Sequence, residues 1–243
     1  MKGLLLSMVF EKTIEEVVDE NYVYARALHY LGIDFFENSS RKLSEVCEEQ
    51  GLDKQQVIKS FYEFDSSTRC SFKELSSYPI DLLVEYLKHT HHIFIKEKLP
   101  YIVHFAKTYK NPALRNLMPE FVEDLIRHIY EEEDTTFKYI HALQEINKGY
   151  EKAPISRLMY FEDFSLKDEL IHHEKEDELG AIRSLFDLLE DGDLHGRVLL
   201  SEIKAFDREM TYHAAVENQV LFPKAISLEK QVLKKVASLS KLN

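Results

Sequence analysis

Apolar residues recur every three or four positions along most of this chain, the spacing that places them on one face of an α-helix. The first such stretch begins at Thr13, which with Glu16 forms the Thr-x-x-Glu pattern of a helix N-terminus. Gly32 and Gly51 follow the first two apolar stretches, and glycine is typical just beyond a helix C-terminus. Residues 1–64 are therefore predicted to form a small helical N-terminal domain.

The apolar stretches become longer in the remainder of the chain. Residues 65–79 are rich in serine and other polar residues and are predicted to be a linker. Pro100 is expected to bend the first long helix and Pro223 to end the fourth, because proline removes a backbone hydrogen bond. The predicted helices cover approximately 80–110, 112 or 119 to 146, 166–189, 194–220 and 228–239. Long helices with short connections predict an all-α fold in which 80–243 form a four-helix bundle with a C-terminal helix.

Composition supports this fold and narrows the function. Only 7 glycines and 6 prolines occur among 243 residues, which disfavours a strand-rich fold with frequent turns. The net charge is −12 and no dense Lys/Arg cluster occurs, so a nucleic-acid partner is not expected. No apolar run is long enough for a membrane span and no signal peptide is recognisable, so a cytoplasmic location is expected. Cys47 and Cys70 are isolated from each other in sequence and are predicted to be reduced thiols.

Two of the long helices carry the same pattern of a histidine, a glutamate four positions later and a phenylalanine nine positions later. The pattern consists of His128, Glu132 and Phe137 in one helix and of His213, Glu217 and Phe222 in the other. Positions i and i+4 lie one above the other on a helix, so each His–Glu pair can contact a single metal site. The phenylalanine returns only partly to that face and is expected to border the site. A single His-x-x-x-Glu is usually a solvated pair, but two copies favour a metal centre.

A further histidine precedes each pair on the neighbouring helix. His92 precedes the first pair, whereas His172, His173 and Glu176 compete for the corresponding position before the second. This arrangement is a twofold pseudo-repeat that supplies four imidazoles and two carboxylates. Each of two metal ions would receive two histidines, with the carboxylates bridging. Such a nitrogen and oxygen donor set suits iron, and it also fits manganese or zinc.

The other candidate residues are assigned to the surroundings of this centre or to the surface. Asp124, one turn before His128, either orients a ligand or is an ordinary surface acid. The histidines predicted to be surface or outer residues are His89, His91, His104, His141 and His195.

The motif residues resemble those of the hemerythrin-like cation-binding domain. Residues 213–223 read His-Ala-Ala-Val-Glu-Asn-Gln-Val-Leu-Phe-Pro, similar to the domain's last-helix signature, and 92–100 resemble its first helix. The chain from about 15 to 225 resembles the repair-of-iron-centres family of bacterial di-iron proteins. The resemblance implies two non-haem irons, bridged by carboxylates and an oxo or hydroxo group. It selects His173 on the third helix because Glu178 then falls into register. The implied ligands are His92, His128, Glu132, His173, His213 and Glu217.

The same resemblance implies a function in nitrosative and oxidative stress. The protein would repair iron–sulfur clusters or supply them with iron, with iron–sulfur proteins as partners, and would bind nitric oxide or oxygen species. Reduction of nitric oxide would require an electron source that the sequence does not show. The family's N-terminal domain has adjacent cysteines where this chain has Phe36 and Glu37, so a thiol-dependent role of this domain is not expected.

Two other functions are compatible with the sequence. One is a sensor or carrier that binds oxygen or nitric oxide reversibly, with the N-terminal unit as an interaction module. The other is a metal-free helical scaffold. The apolar faces of the N-terminal helices are compatible with a homodimer.

Overall fold

The computed structural model describes residues 8–65, 70–149, 164–175, 178–189 and 192–240, with side chains at 173–175, 178 and 239–240 left outside the description. Across these ranges the chain is helical and forms no strand, and the only bridge is an isolated antiparallel pair between Thr13 and Lys42. The predicted all-α class is thus confirmed.

The described residues of the N-terminal part include the short helices α1 (Ile14–Glu20), α2 (Val23–Tyr30), α3 (Leu43–Glu49) and α4 (Lys54–Asp65). The predicted cap of α1 is confirmed. The backbone N–H of Glu16 donates to Thr13 Oγ1 over 3.2 Å, and that of Thr13 donates to Glu16 Oε2 over 2.8 Å. Gly32 and Gly51 follow α2 and α3 with φ angles of 83° and 68°, a left-handed conformation that favours glycine.

The segment predicted as a linker contains a further helix, α5 (Phe72–Ser77). Ser71 and Glu74 form a second capping box at its start, a signal hidden in the serine-rich stretch. Leu75 on this helix is fully buried among apolar side chains of the C-terminal half. Residues 66–69 of the predicted linker lie outside the described ranges.

Longer helical rods form most of the described chain beyond α5, and three of these rods contain a π-helical turn. In chain order the elements are α6 (Ile80–Ile93), π1 (Phe94–Lys98), α7 (Leu99–Thr108), α8 (Pro112–Glu132), π2 (Glu133–Phe137), α9 (Lys138–Lys148), α10 (Leu166–Lys175), α11 (Glu178–Ser184), a 3₁₀ turn (Phe186–Leu188), α12 (Leu194–Val216), π3 (Glu217–Leu221) and α13 (Phe222–Ser240). Each π turn joins two α-helices into one rod. Consequently, α12, π3 and α13 form a single element.

Pro223 does not end its rod, contrary to the prediction that the helix stops there and resumes at residue 228. The backbone N–H of Phe222 donates to the carbonyl of Glu217, five residues earlier, which is a π-type bond. Pro223 therefore occupies the first turn of a new α-helical segment, where a missing N–H is tolerated. Pro100 has the same position after π1.

The N-terminal helices pack directly on the long rods. Buried side chains of α1 and α2, such as Ile14 and Leu28, belong to one continuous apolar core with Phe105 of α7 and Ile203 of α12. A second core lies between α9, α13 and the helices next to them. Burial of apolar surface is the main stabilising contribution in both.

Polar contacts also cross the boundary between α1–α2 and the rods, a region that we call the seam. Arg26 of α2 forms an ion pair with Glu202 of α12, and both side chains are largely buried. Arg197 of α12 reaches Glu15 at 2.7 Å and Asp19 at 3.1 Å. The seam thus combines apolar contact with specific charge pairing.

Aromatic and histidine rings complete the seam. The ring of Phe36 stacks on His195 with centroids 4.4 Å apart and planes 13° apart. The ring of His29 lies 5.2 Å from those of His104 and Tyr101. Phe36 therefore has a packing role in this structure.

Among the described helices, none is sufficiently long and apolar to cross a membrane.

Candidate metal centre

Four side chains from three rods converge in the interior. They are His91 on α6, Glu132 at the end of α8, His213 on α12 and Glu217 at the start of π3. One donor atom from each lies within 4.8 Å of the donor atoms of the others. Each residue is at most 5% exposed. We call these four residues the His/Glu group, and its arrangement could hold a metal ion.

The distances within the group fit coordination of one ion. The Nε2 atoms of His91 and His213 are 2.8 Å apart. Two nitrogens bound to one ion at about 2.0–2.1 Å in adjacent positions would be separated by about 3 Å. His213 Nε2 lies 2.9 Å from Glu217 Oε1, and His91 Nε2 lies 3.5 Å from Glu132 Oε2. Two imidazoles and two carboxylates form a donor set that suits divalent iron, manganese or zinc.

The protonation of His91 suits metal binding. Burial, together with the neighbouring charge on His213, lowers the pKa of His91 to about 3 in the metal-free chain. The imidazole is therefore neutral near pH 7, the form that donates a lone pair to a metal.

Glu133, at the start of π2, fixes the orientation of His91. Its Oε1 lies 2.9 Å from His91 Nδ1. A carboxylate can only accept here, so Nδ1 carries the proton and Nε2 presents its lone pair to the group. The ring of Phe137 stacks on His91 with centroids 5.7 Å apart and planes 7° apart. A carboxylate behind a ligating histidine is typical of metal sites, and the sequence analysis did not identify Glu133.

All three π turns lie beside the His/Glu group. π1 begins three residues after His91, π2 begins directly after Glu132, and π3 begins at Glu217 itself. A π turn closes a hydrogen-bonded loop over five residues rather than four, so Phe137 returns close to the face that carries Glu132. This agrees with the expectation that Phe137 borders the site. π turns are frequent at functional sites.

The structure brings together three of the six predicted ligands: Glu132, His213 and Glu217. On α6, the structure differs from the prediction: His91, and not the predicted His92, belongs to the His/Glu group. His92 is exposed, because adjacent residues on a helix point about 100° apart.

The apolar pattern of α6 contains the signal that selects His91. Val84, Leu87, His91 and Phe94 have spacings of three, four and three, and all four are buried. A histidine that continues a buried stripe faces the interior. His91, predicted to be a surface or outer residue, is therefore buried in the group, and the neighbouring His92, the predicted ligand, falls outside this stripe.

The remaining predicted ligands have different settings. His128 is half-buried and lines a cavity of about 320 Å³ beside the four residues of the group. On α10, His172 is exposed. The side chain of His173 and the whole of Glu176 lie outside the described part of the structure. Asp124 is exposed and pairs with Arg127 at 2.6 Å, which supports the interpretation as a surface acid.

A second, larger cleft also reaches the group. It has a volume of about 920 Å³ and is lined by Asn21 and Arg26 of the N-terminal part, by α6 and α12, and by His213. Of the described residues, His213 alone lines both this cleft and the smaller cavity. Cys70 lies on its wall, and both Cys70 and Cys47 are free thiols, as predicted.

Comparison with known protein families and with curated proteins found no match to this chain.

Proposed function

We propose that this protein holds two iron ions in a hemerythrin-like four-helix bundle and acts in the response to nitrosative and oxidative stress. It would repair damaged iron–sulfur clusters or supply them with iron, and would bind nitric oxide or oxygen species. The observation that carries the proposal is the convergence of His91, Glu132, His213 and Glu217 on one buried point.

The duplicated motif supports a second ion next to the first. His128 lies one turn before Glu132 on the same helix, and it lines the cavity into which Glu217 also extends. Glu132 and Glu217 would then bridge two ions, with His91 and His213 on one side and His128 on the other. Bound iron would supply redox change and a coordination position open to nitric oxide or dioxygen.

The protein's own residues hold, orient and shield this centre. Glu133 keeps the lone pair of His91 directed at the group, and Phe137 restricts rotation of the ring. Phe94 packs against His213 with ring centroids 5.7 Å apart. The nearly complete burial of the four side chains lowers the local polarity around them, which strengthens each electrostatic contact inside the group.

The first experiment is a metal count on the full chain, expressed with iron and purified without a chelating column. We expect about two irons per chain with near-ultraviolet oxo-bridge absorption, and optical changes when nitric oxide is added to the reduced protein. The loaded protein should also restore activity to a nitric-oxide-damaged iron–sulfur enzyme. His213→Ala should lose iron, whereas Glu209→Gln, one turn earlier on the same helix, should retain it. Absence of metal after anaerobic reconstitution with ferrous iron would overturn the proposal.

One observation favours a second candidate function, a sensor for oxygen or nitric oxide. The large cleft has walls from the N-terminal helices and reaches His213, so ligand binding at the centre and the position of these helices could be coupled. A stable oxygenated spectrum without loss of iron would support a sensor, and release of iron to an apo acceptor would support repair.

A further inference from the structure

We infer that the two metal positions are unequal: an ion on the His91–His213 side is retained, whereas an ion on the His128 side exchanges with solvent. This inference rests on the proposed two-metal centre. It identifies which of the two ions would be available for transfer.

The His91–His213 side is already organised for binding. His91 and His213 are 2% and 4% exposed, and their Nε2 atoms stand at nearly the separation that one ion requires. Glu133 and Phe137 fix the His91 ring from two directions. A ligand whose rotamer is held by packing and by a hydrogen bond loses little freedom when the ion binds, so the affinity is high.

The His128 side is more open. His128 is half-buried, whereas His91 and His213 are almost completely buried, although all three line the 320 Å³ cavity. A cavity of this volume, lined by polar groups, has room for several water molecules. Water molecules beside a metal position can replace protein ligands one at a time, which gives the ion a path to leave.

Two further side chains line this cavity and supply no anionic ligand to a cation in it. Asn218, next to Glu217, contributes a neutral amide whose Oδ1 is buried and, among the described residues, has no hydrogen-bond partner. A neutral amide oxygen attracts a cation less strongly than a carboxylate does. Arg183 brings a guanidinium into the cavity wall, held by Asp207 at 2.9 Å. This fixed positive charge opposes a nearby cation, although its partial exposure screens the effect.

The arrangement has a consequence for iron supply. An exchangeable ion on the His128 side could leave while Glu132, Glu217, His91 and His213 keep the other ion in place. The interior would then remain folded around one metal, and the protein could be reloaded. Transfer would involve one iron per chain in each cycle.

The test is a titration of the metal-stripped full chain with ferrous iron under anaerobic conditions, followed by competition with a chelator. We expect two classes of site, with one ion per chain in each and dissociation constants at least about tenfold apart, a difference of about 1.4 kcal/mol. The chelator should remove one ion rapidly and the other slowly. Cobalt(II), which has visible absorption bands, can be used in a parallel optical titration.

Single substitutions show which residues form the tight class of metal site and which form the weak class. His128→Ala should remove the weak class and leave one tightly bound ion, whereas His91→Ala should remove the tight class. Arg183→Gln should strengthen the weak class by a few-fold. The matched control is Arg127→Gln, an exposed arginine adjacent to His128 in sequence, which should change neither class.

The outcomes separate this inference from the proposed function. Two ions of equal affinity, or loss of both ions from a His128→Ala protein with unchanged circular dichroism, would overturn the inference while leaving the two-metal centre intact. Binding of a single ion per chain by the unaltered protein would overturn both the inference and the two-metal proposal. Failure to bind any metal would overturn the proposed function at its first step.

Discussion

The rod formed by α12 and π3 carries buried glutamates in two contrasting settings. Glu202 lies in the seam and is 4% exposed, and its carboxylate is paired with the guanidinium of Arg26. Glu217 lies in the His/Glu group and is 2% exposed, and its carboxylate is 2.9 Å from the imidazole of His213. In the seam, the guanidinium of Arg26 is the cation that pairs with the buried carboxylate. In the His/Glu group, the donor atoms lie close together around a point where a metal ion could bind.

This difference separates a structural cluster from a candidate functional one. Burial raises the pKa of Glu202, and the charge of Arg26 opposes that rise, so the pair is balanced within the protein. In the His/Glu group, the lowered pKa keeps His91 neutral near pH 7, so this ring contributes a lone pair rather than a charge. Substitutions in the seam are expected to change the free energy of unfolding, and substitutions in the His/Glu group are expected to change the affinity for metal.

The largest expected effect comes from breaking the buried pair in the seam. Arg26→Ala leaves the Glu202 carboxylate buried without its cation, and such a change typically costs about 3–5 kcal/mol of unfolding free energy. Urea denaturation of the metal-free protein measures this loss. The double variant Arg26→Met with Glu202→Leu should recover most of it, since an apolar pair of similar size can replace a buried ion pair. A loss below about 1 kcal/mol in the single variant would mean that the pair is solvated like a surface salt bridge.

A smaller effect is expected when Glu133 is changed, because this carboxylate would act on a bound metal ion through His91. Glu133→Ala should weaken metal binding by about 10- to 100-fold, the usual effect of removing the carboxylate behind a ligating histidine. The neighbouring exposed Glu131→Ala is the matched control and should leave the affinity unchanged. Competition with a chelator of known affinity gives both values. Equal affinities in the two variants would show that the contact with His91 does not support a metal ligand.

The smallest expected effect is a change with pH in the free energy of unfolding, caused by His195 in the seam. Burial lowers the pKa of His195, whose ring packs on Phe36, so its folded-state pKa lies below its unfolded value near 6.5. Below about pH 6.5 the unfolded chain therefore binds more protons at His195 than the folded chain does. The contribution of His195 to the free energy of unfolding then declines as the pH falls. One proton can change stability by at most about 1.4 kcal/mol per pH unit, and the partial exposure of His195 reduces this value.

Unfolding of the chelator-treated protein at pH 7.5 and 5.5 tests this dependence. His195→Gln should lose less stability between the two pH values than the unaltered chain. An identical loss in both proteins would assign the pH dependence to other groups.

The sequence predicted the fold class and the sharpest part of the site, because helical periodicity acts over short distances. The spacing of His213 and Glu217 places both on one helix face in any α-helix, and the structure brings them together. The capping box at Thr13 is equally local and was predicted correctly.

Other features depend on tertiary context. The choice between His91 and His92 requires the phase of α6 relative to the core, which its stripe of buried residues reveals and the spacing between the histidine helices does not. The continuation of the last rod through Pro223 depends on a π turn, for which the amino-acid pattern gives no simple rule. The third-helix ligand stays a prediction, since the side chain of His173 is outside the described residues.

The three π turns also have a consequence for how the length of this chain can vary. A π turn accommodates one residue more than an α-helix does while the two ends of the rod keep their orientation. Loss of one residue inside π1 or π3 would therefore return the segment to an ordinary α-helix and preserve the packing on both sides. The same loss in the middle of α8 would rotate every residue beyond it by about 100° and expose the core. In evolutionary terms, these rods can gain or lose a residue beside the His/Glu group, where one step in register selects which side chain faces the interior of the group.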